Sequence, residues 1–250
     1  MNNLALGRSA FWAGLAIAVG AVLAAGPLMA QDIAINFGDD TSLAARSIQL
    51  LLLVTVLSIV PGLAVMITCF PFIVTVLSIL RQAIGLQQSP PNMLIISLAL
   101  FLTWFVMDPV FTKAWTEGIQ PLQAGTIDVQ GAIPLVLGPF RAFMAARLDP
   151  DTFAAMADLR PETLGMAIPD APLSLLVPSF ILSEIQRAFE IGFLIFMPFL
   201  IIDLVVAAIL MSMGMMMVPP AVVSLPFKLA FFVVADGWSL IAGALVRSYI

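Results

Sequence analysis

Histidine is absent from these 250 residues, cysteine occurs once, and charged residues make up only 10% of the chain. Without histidine the chain lacks the side chain that most often shuttles protons or binds metal near neutral pH. Cys69 alone cannot close an intrachain disulfide or build a cysteine-based metal cluster. A soluble domain carries about a quarter charged residues and about half apolar ones. Here apolar residues reach 62% and the mean hydropathy is +1.11. Polar groups are too few to cover a folded surface in water, so the chain is read as a membrane protein. Its net charge of −5 offers no footprint for nucleic acid. There is no phosphate-binding glycine loop and no nucleophile elbow. Neither an enzyme nor a cofactor or metal site is therefore expected.

What is present is a succession of apolar runs. Met1–Arg8 carries one positive charge, Ala10–Ala25 is small and apolar, and Pro27-Leu28-Met29-Ala30 breaks the run before Gln31. That order is a secretory signal with cleavage between Ala30 and Gln31; a retained first helix is the alternative. Residues 31–47 then form a polar, periplasmic segment. Residues 48–112 hold two membrane helices: the uncharged stretch Ile48–Ile79, bent at Pro61-Gly62 and Pro71, and Met93–Met107. A short cytoplasmic turn near 81–92 joins them. Residues 113–171 read as a small helical periplasmic domain, with four basic and seven acidic residues between Lys113 and Asp170. The single basic charge of the turn against the acidic balance of that domain sets the orientation. Residues 172–250 make two kinked helices joined at a methionine-rich bend, 211–217. The fold class is thus an all-α membrane protein of kinked helical hairpins.

The last two apolar segments carry charges and prolines that lipid does not tolerate well. Glu184, Arg187, Glu190 and Asp203 lie in one, Lys228 and Asp236 in the other. Such residues face a bundle interior or a water-filled path. Glu184, Arg187 and Glu190 share a helix face, so they either neutralise one another or leave a carboxylate over for Lys228. The second arrangement, a Glu184–Lys228 pair within or between subunits, is the preferred expectation. Asp203 and Asp236 are expected to hydrogen-bond between helices rather than to share a proton as a protease dyad. In Met211-Ser212-Met213-Gly214-Met215-Met216-Met217, five of fourteen methionines fall within seven residues. Ordinary adaptable packing is one reading. The other is an apolar, deformable constriction that gates a pore by excluding water.

Several long motifs carry a family resemblance. Arg81-Gln82-Ala83-Ile84-Gly85, Pro90-Pro91-Asn92, Leu98-Ala99-Leu100-Phe101-Leu102-Thr103 and Pro198-Phe199-Leu200-Ile201-Ile202-Asp203 resemble the FliP family of the bacterial flagellar type III export gate. So do Met213-Gly214-Met215-Met216-Met217-Val218-Pro219-Pro220, Ser224-Leu225-Pro226-Phe227-Lys228-Leu229 and Asp236-Gly237-Trp238. The resemblance covers nearly the whole chain from about residue 48. It implies a homo-oligomer, a pentamer in the family, that joins FliQ and FliR in a helical, cone-like channel. It implies the export components FlhA and FlhB as neighbours, unfolded flagellar subunits as cargo, and the inner membrane at the flagellar basal body as the location. It maps the channel gate onto Met215, Met216 and Met217. One departure is visible: Phe72 stands where relatives usually have a basic residue. The alternatives are an injectisome-type gate, which the signal segment resembles less, and a small-solute or ion transporter using Asp203, Glu184 and Lys228. Many transporters contain inverted repeats, and the two halves of this chain show none.

Overall fold

The structure, a computed structural model, describes residues 43–249 apart from 87, 88, 164 and 216. The expected cleavage site at Ala30 and Gln31 lies outside those residues, as does Met216. Among the described residues every regular element is helical. The longer ones are α1 (Leu43–Met66), α2 (Phe70–Ile84), α3 (Asn92–Ala114), α4 (Val129–Arg147), α5 (Pro150–Ala157), α6 (Leu173–Ser212), α7 (Pro220–Val234) and α8 (Gly237–Arg247). The chain divides into two compact units, one ending at Thr55 and the other starting at Val56. In the first, the side chains from Ser47 to Thr55 are all exposed. An apolar helix left uncovered in this way needs lipid or another chain around it.

The break between α1 and α2 differs from the expectation. Pro61 is accommodated inside α1, and the chain turns instead at Ile67–Cys69. Pro71 lies in the first turn of α2, where its missing N–H costs nothing. Thr68 fills the turn: its hydroxyl donates to the Val65 carbonyl at 2.6 Å and accepts from the Phe70 N–H at 3.3 Å. The 15 residues of α2 extend only about 22 Å, short of a bilayer core.

That short helix is the centre of the larger core. Its buried residues Phe72, Ile73, Val76, Leu77, Leu80, Ala83 and Ile84 recur at helical spacing, and α6 packs along them. Gly192 of α6 sets the approach: a Cβ there would come within 2.4 Å of Ile79. Gly85 ends α2 at φ 89°, with its N–H on the Gln82 carbonyl, the left-handed stop that glycine adopts freely. Arg81 of the last turn donates to the Asn92 side chain at the start of α3.

A second core joins α4, α5 and the beginning of α6 through Met144, Leu148, Phe153, Leu175, Leu176 and Phe180. Asp128 caps α4, accepting from the Gly131 N–H at 2.9 Å. No helix end falls at residue 112. The helical course of α3 continues through a wider turn at Trp115–Ile119 to Gln123, with Lys113 and Glu117 exposed to solvent rather than ending it. Buried Gly118 lets α4 close in, since a Cβ there would meet Val136 at 2.4 Å.

Four helices among the described residues are long and apolar enough to cross a membrane: Ser47–Met66, Asn92–Gln123, Val129–Arg147 and Leu173–Ser212. The pair α7 and α8, bent by 61°, makes a fifth if it is one broken span. Val129–Arg147 is an addition to the expected set, since its prolines and its place between charged segments mask its apolar length.

Enlarging Gly192 to leucine should force α2 and α6 apart and lower stability by about 1–3 kcal/mol. Gly138, with open space around its Cβ position, should accept alanine at no cost, as a helix-interior glycine. Thermal unfolding of the two variants in detergent checks both: Gly192→Leu should lower the midpoint and Gly138→Ala should not.

Candidate channel-forming site

The charges foreseen in the sequence are all placed by α6 and the elements around it. Glu184 is fully buried. Its carboxylate accepts from Arg147 Nε at 3.1 Å and from the Tyr249 hydroxyl. Arg147, the last residue of α4, also donates to the Ser248 carbonyl at 2.9 Å. Its guanidinium lies 4.0 Å from the Tyr249 ring centroid and 6.0 Å from that of Phe72. Tyr249 in turn meets Phe72 edge-on at 5.5 Å and stacks on Phe143 at 6.0 Å. Burial, and then the neighbouring Glu184 carboxylate, push its phenol well above the ordinary range, so the hydroxyl stays a donor. Phe72, the departure noted in the sequence, is fully buried here; the cation of this neighbourhood is Arg147.

Lys228 is the second focus. Its ammonium lies 2.5 Å from Asp203 and 3.1 Å from the Ala83 carbonyl. The latter belongs to the last turn of α2, where a cation is also favoured by the helix dipole. Ser224, one turn earlier on α7, donates to the other Asp203 oxygen at 2.5 Å. One cluster thus ties α2, α6 and α7 together. The Lys228 side chain is 7% exposed and that of Asp203 33%, so the carboxylate is the wetter partner.

The expected Glu184–Lys228 pair is therefore corrected within the chain: each residue has another partner. Nineteen residues of one continuous helix separate Glu184 from Asp203, about 28 Å along its axis. Lys228, held at Asp203, is out of reach of its own Glu184. Arg187 is half-buried and makes no ion pair with Glu184 or Glu190 among the described residues; Glu190 is held by Gln186 instead, at 3.2 Å. Asp236 is exposed at the bend between α7 and α8, with φ 48°. Its side chain makes no hydrogen bond among the described residues, so the expected bonding between helices is made by Asp203 and is corrected for Asp236. Sequence reasoning missed Arg147 and Tyr249. Arg147 was counted as part of a solvated domain, and its only signal was a basic residue closing an apolar, proline-bearing run.

The methionine bend is built by a helix stop. α6 ends with the Met215 N–H on the Leu210 carbonyl at 3.0 Å and the Gly214 N–H on the Met211 carbonyl at 3.1 Å. Gly214 has φ 72°, and this pair of bonds closes the helix through a left-handed glycine. Pro219 and Pro220 then start α7. Met211, Met213, Met215 and Met217 are all exposed, Met217 almost completely, at 97%. An apolar groove of about 520 Å³ adjoins them, lined by residues that include Ile201, Val205, Ile209, Met213, Met215 and Phe227. Its walls are α6 and α7, the two helices that Asp203 and Lys228 hold together.

Comparison with known proteins adds an independent line. A family model described as the FliP family matches residues 53–245. A flagellar biosynthetic protein FliP from Caulobacter vibrioides is 48% identical over 244 residues, 98% of this chain and 92% of that protein. One from Agrobacterium fabrum is 49% identical over 84% of this chain and 86% of its own. One from Bacillus subtilis is 42% identical over 88% of this chain and all of its own length.

Removing one member of a buried ion pair strands the other, at about 3–5 kcal/mol. Arg147→Met should therefore destabilise the protein more than Lys228→Met, because Glu184 is fully buried whereas Asp203 is partly wet. The charge exchange Asp203→Lys with Lys228→Asp should recover part of the loss that either change causes alone. The exchange Glu184→Lys with Lys228→Glu should not. Yield and thermal midpoint of the purified variants measure all of these.

Proposed function

Because the chain belongs to the FliP family, and so is a component of the flagellar type III export gate, we propose that its methionine bend is the element that closes the gate's channel. In this reading several copies, five in the family, line a channel with FliQ and FliR. Unfolded flagellar subunits pass through it at the inner membrane, beneath the basal body, with FlhA and FlhB as the neighbouring export components. The observation that carries the reading is the exposure of Met211, Met213, Met215 and Met217 at one helix stop beside a wholly apolar groove. A patch packed within the chain would bury these side chains. An exposed apolar cluster on an anchored hairpin is suited to meet its counterparts from other copies.

The physics suits the task. An apolar constriction excludes water and ions without a mechanical plug. Thioether side chains are unbranched and adaptable, so they part for an extended polypeptide and close behind it. The two ion-pair clusters hold the helices on either side, which confines deformation to the bend.

Replacing Met215, Met216 and Met217 together by alanine removes side-chain volume without adding charge. Assembled complexes carrying this change, reconstituted in planar bilayers, should conduct ions at rest where unaltered complexes do not. Leucine at the same positions should keep the seal, because the volume is conserved, but slow export, because branched chains adapt less readily. Triple-alanine complexes of normal yield that stay closed would contradict the proposal.

A further inference from the structure

The exposure of the bend has a chemical consequence apart from its mechanical one. Thioethers are the side chains that peroxides oxidise to sulfoxides, a change that turns a flexible apolar group into a polar one. Accessibility decides which methionines react. Met107 is fully buried and Met144 nearly so, at 2%, whereas Met211, Met213, Met215 and Met217 are exposed by 64%, 67%, 43% and 97%. Met93, on α3, is exposed as well, at 76%, but lies outside the bend. Four accessible thioethers within seven residues form a concentrated target, and two of them, Met213 and Met215, line the apolar groove.

We propose that this bend is a reversible oxidation site, at which hydroperoxides convert the methionines to sulfoxides and thereby wet the channel's closure. The inference rests on the bend being the closing element. In each event a thioether sulfur attacks one peroxide oxygen, the O–O bond breaks, a sulfur–oxygen bond forms, and water leaves when the oxidant is hydrogen peroxide. Sulfur loses two electrons and the peroxide gains them. The new oxygen is a strong hydrogen-bond acceptor placed where the groove offers no donor. It recruits water, and a constriction that gates by excluding water loses its seal. In a homo-oligomer each copy presents the same methionines to the ring, so sulfoxides formed independently on different copies add at one constriction. Methionine sulfoxide reductases restore the thioether: two thiols supply the two electrons and become a disulfide, and the oxygen leaves as water.

The test uses assembled complexes exposed to hydrogen peroxide, with sulfoxide mapped by peptide mass spectrometry and conductance read in planar bilayers. The bend methionines should oxidise about tenfold faster than Met107 and Met144, following accessibility. Resting conductance should rise in step with bend oxidation and fall again after treatment with the reductases. A variant with leucine at positions 211, 213, 215, 216 and 217 should stay closed under peroxide even as Met93 oxidises. Oxidation of the bend no faster than of Met107 and Met144 would overturn the inference. So would full conversion at the bend with unchanged conductance in a preparation whose triple-alanine variant leaks. If neither alanine nor sulfoxide opens the complex, the gate reading fails together with this one.

Discussion

A fully buried carboxylate in a chain this apolar has to be compensated on every side, and Glu184 is that carboxylate. Stranding such a charge costs several kcal/mol, so its partners are fixed along with it. Arg147 supplies the countercharge from the end of α4, and Tyr249 supplies a hydroxyl from beyond α8. Phe72 and Phe143 pack against the Tyr249 ring from α2 and α4. Segments far apart in sequence are thereby held to one point of α6. The price is a specific geometry that tolerates little change.

The Lys228 cluster repeats the logic about 28 Å further along α6. Asp203, Ser224 and the end of α2 enclose the ammonium, so every polar group there has a partner inside the chain. This bears on the transporter alternative. An ion or proton site needs groups free to exchange partners, and here Asp203 and Lys228 hold each other while Glu184 is held by Arg147 and Tyr249. The bend between α6 and α7 carries no charge at all. The ion pairs lie in the anchors and apolar deformability in the bend, a division suited to a channel wall that opens locally.

Much of this was legible from residue type and spacing. The apolar runs, the poverty of charge, the polar turn near 81–92 and the methionine-rich bend gave an all-helical membrane chain and its main turns. The pairing of charges was not. Which carboxylate meets which cation depends on the axial position of each helix against its neighbour, and that is set by contacts such as Gly192 against Ile79. Charge balance along the sequence suggested Glu184 with Lys228, whereas the packed helices place them far apart. Arg147 was invisible for a related reason: a basic residue closing an apolar helix looks like a solvated end until α6 covers it. Pro61 is carried inside α1 without a break, and the turn falls at Ile67–Cys69, just ahead of Pro71.

The central claim is that the methionine bend lines the path of the exported chain. It is tested most directly by placing a photo-reactive amino acid at position 217, and in parallel at position 104 on the outward face of α3, in cells exporting a flagellar subunit stalled by a fused, tightly folded domain. The account predicts a covalent adduct with the stalled subunit from position 217 and none from position 104. Adducts from position 104 alone, or from neither position while the stalled subunit is demonstrably lodged in the complex, would contradict it.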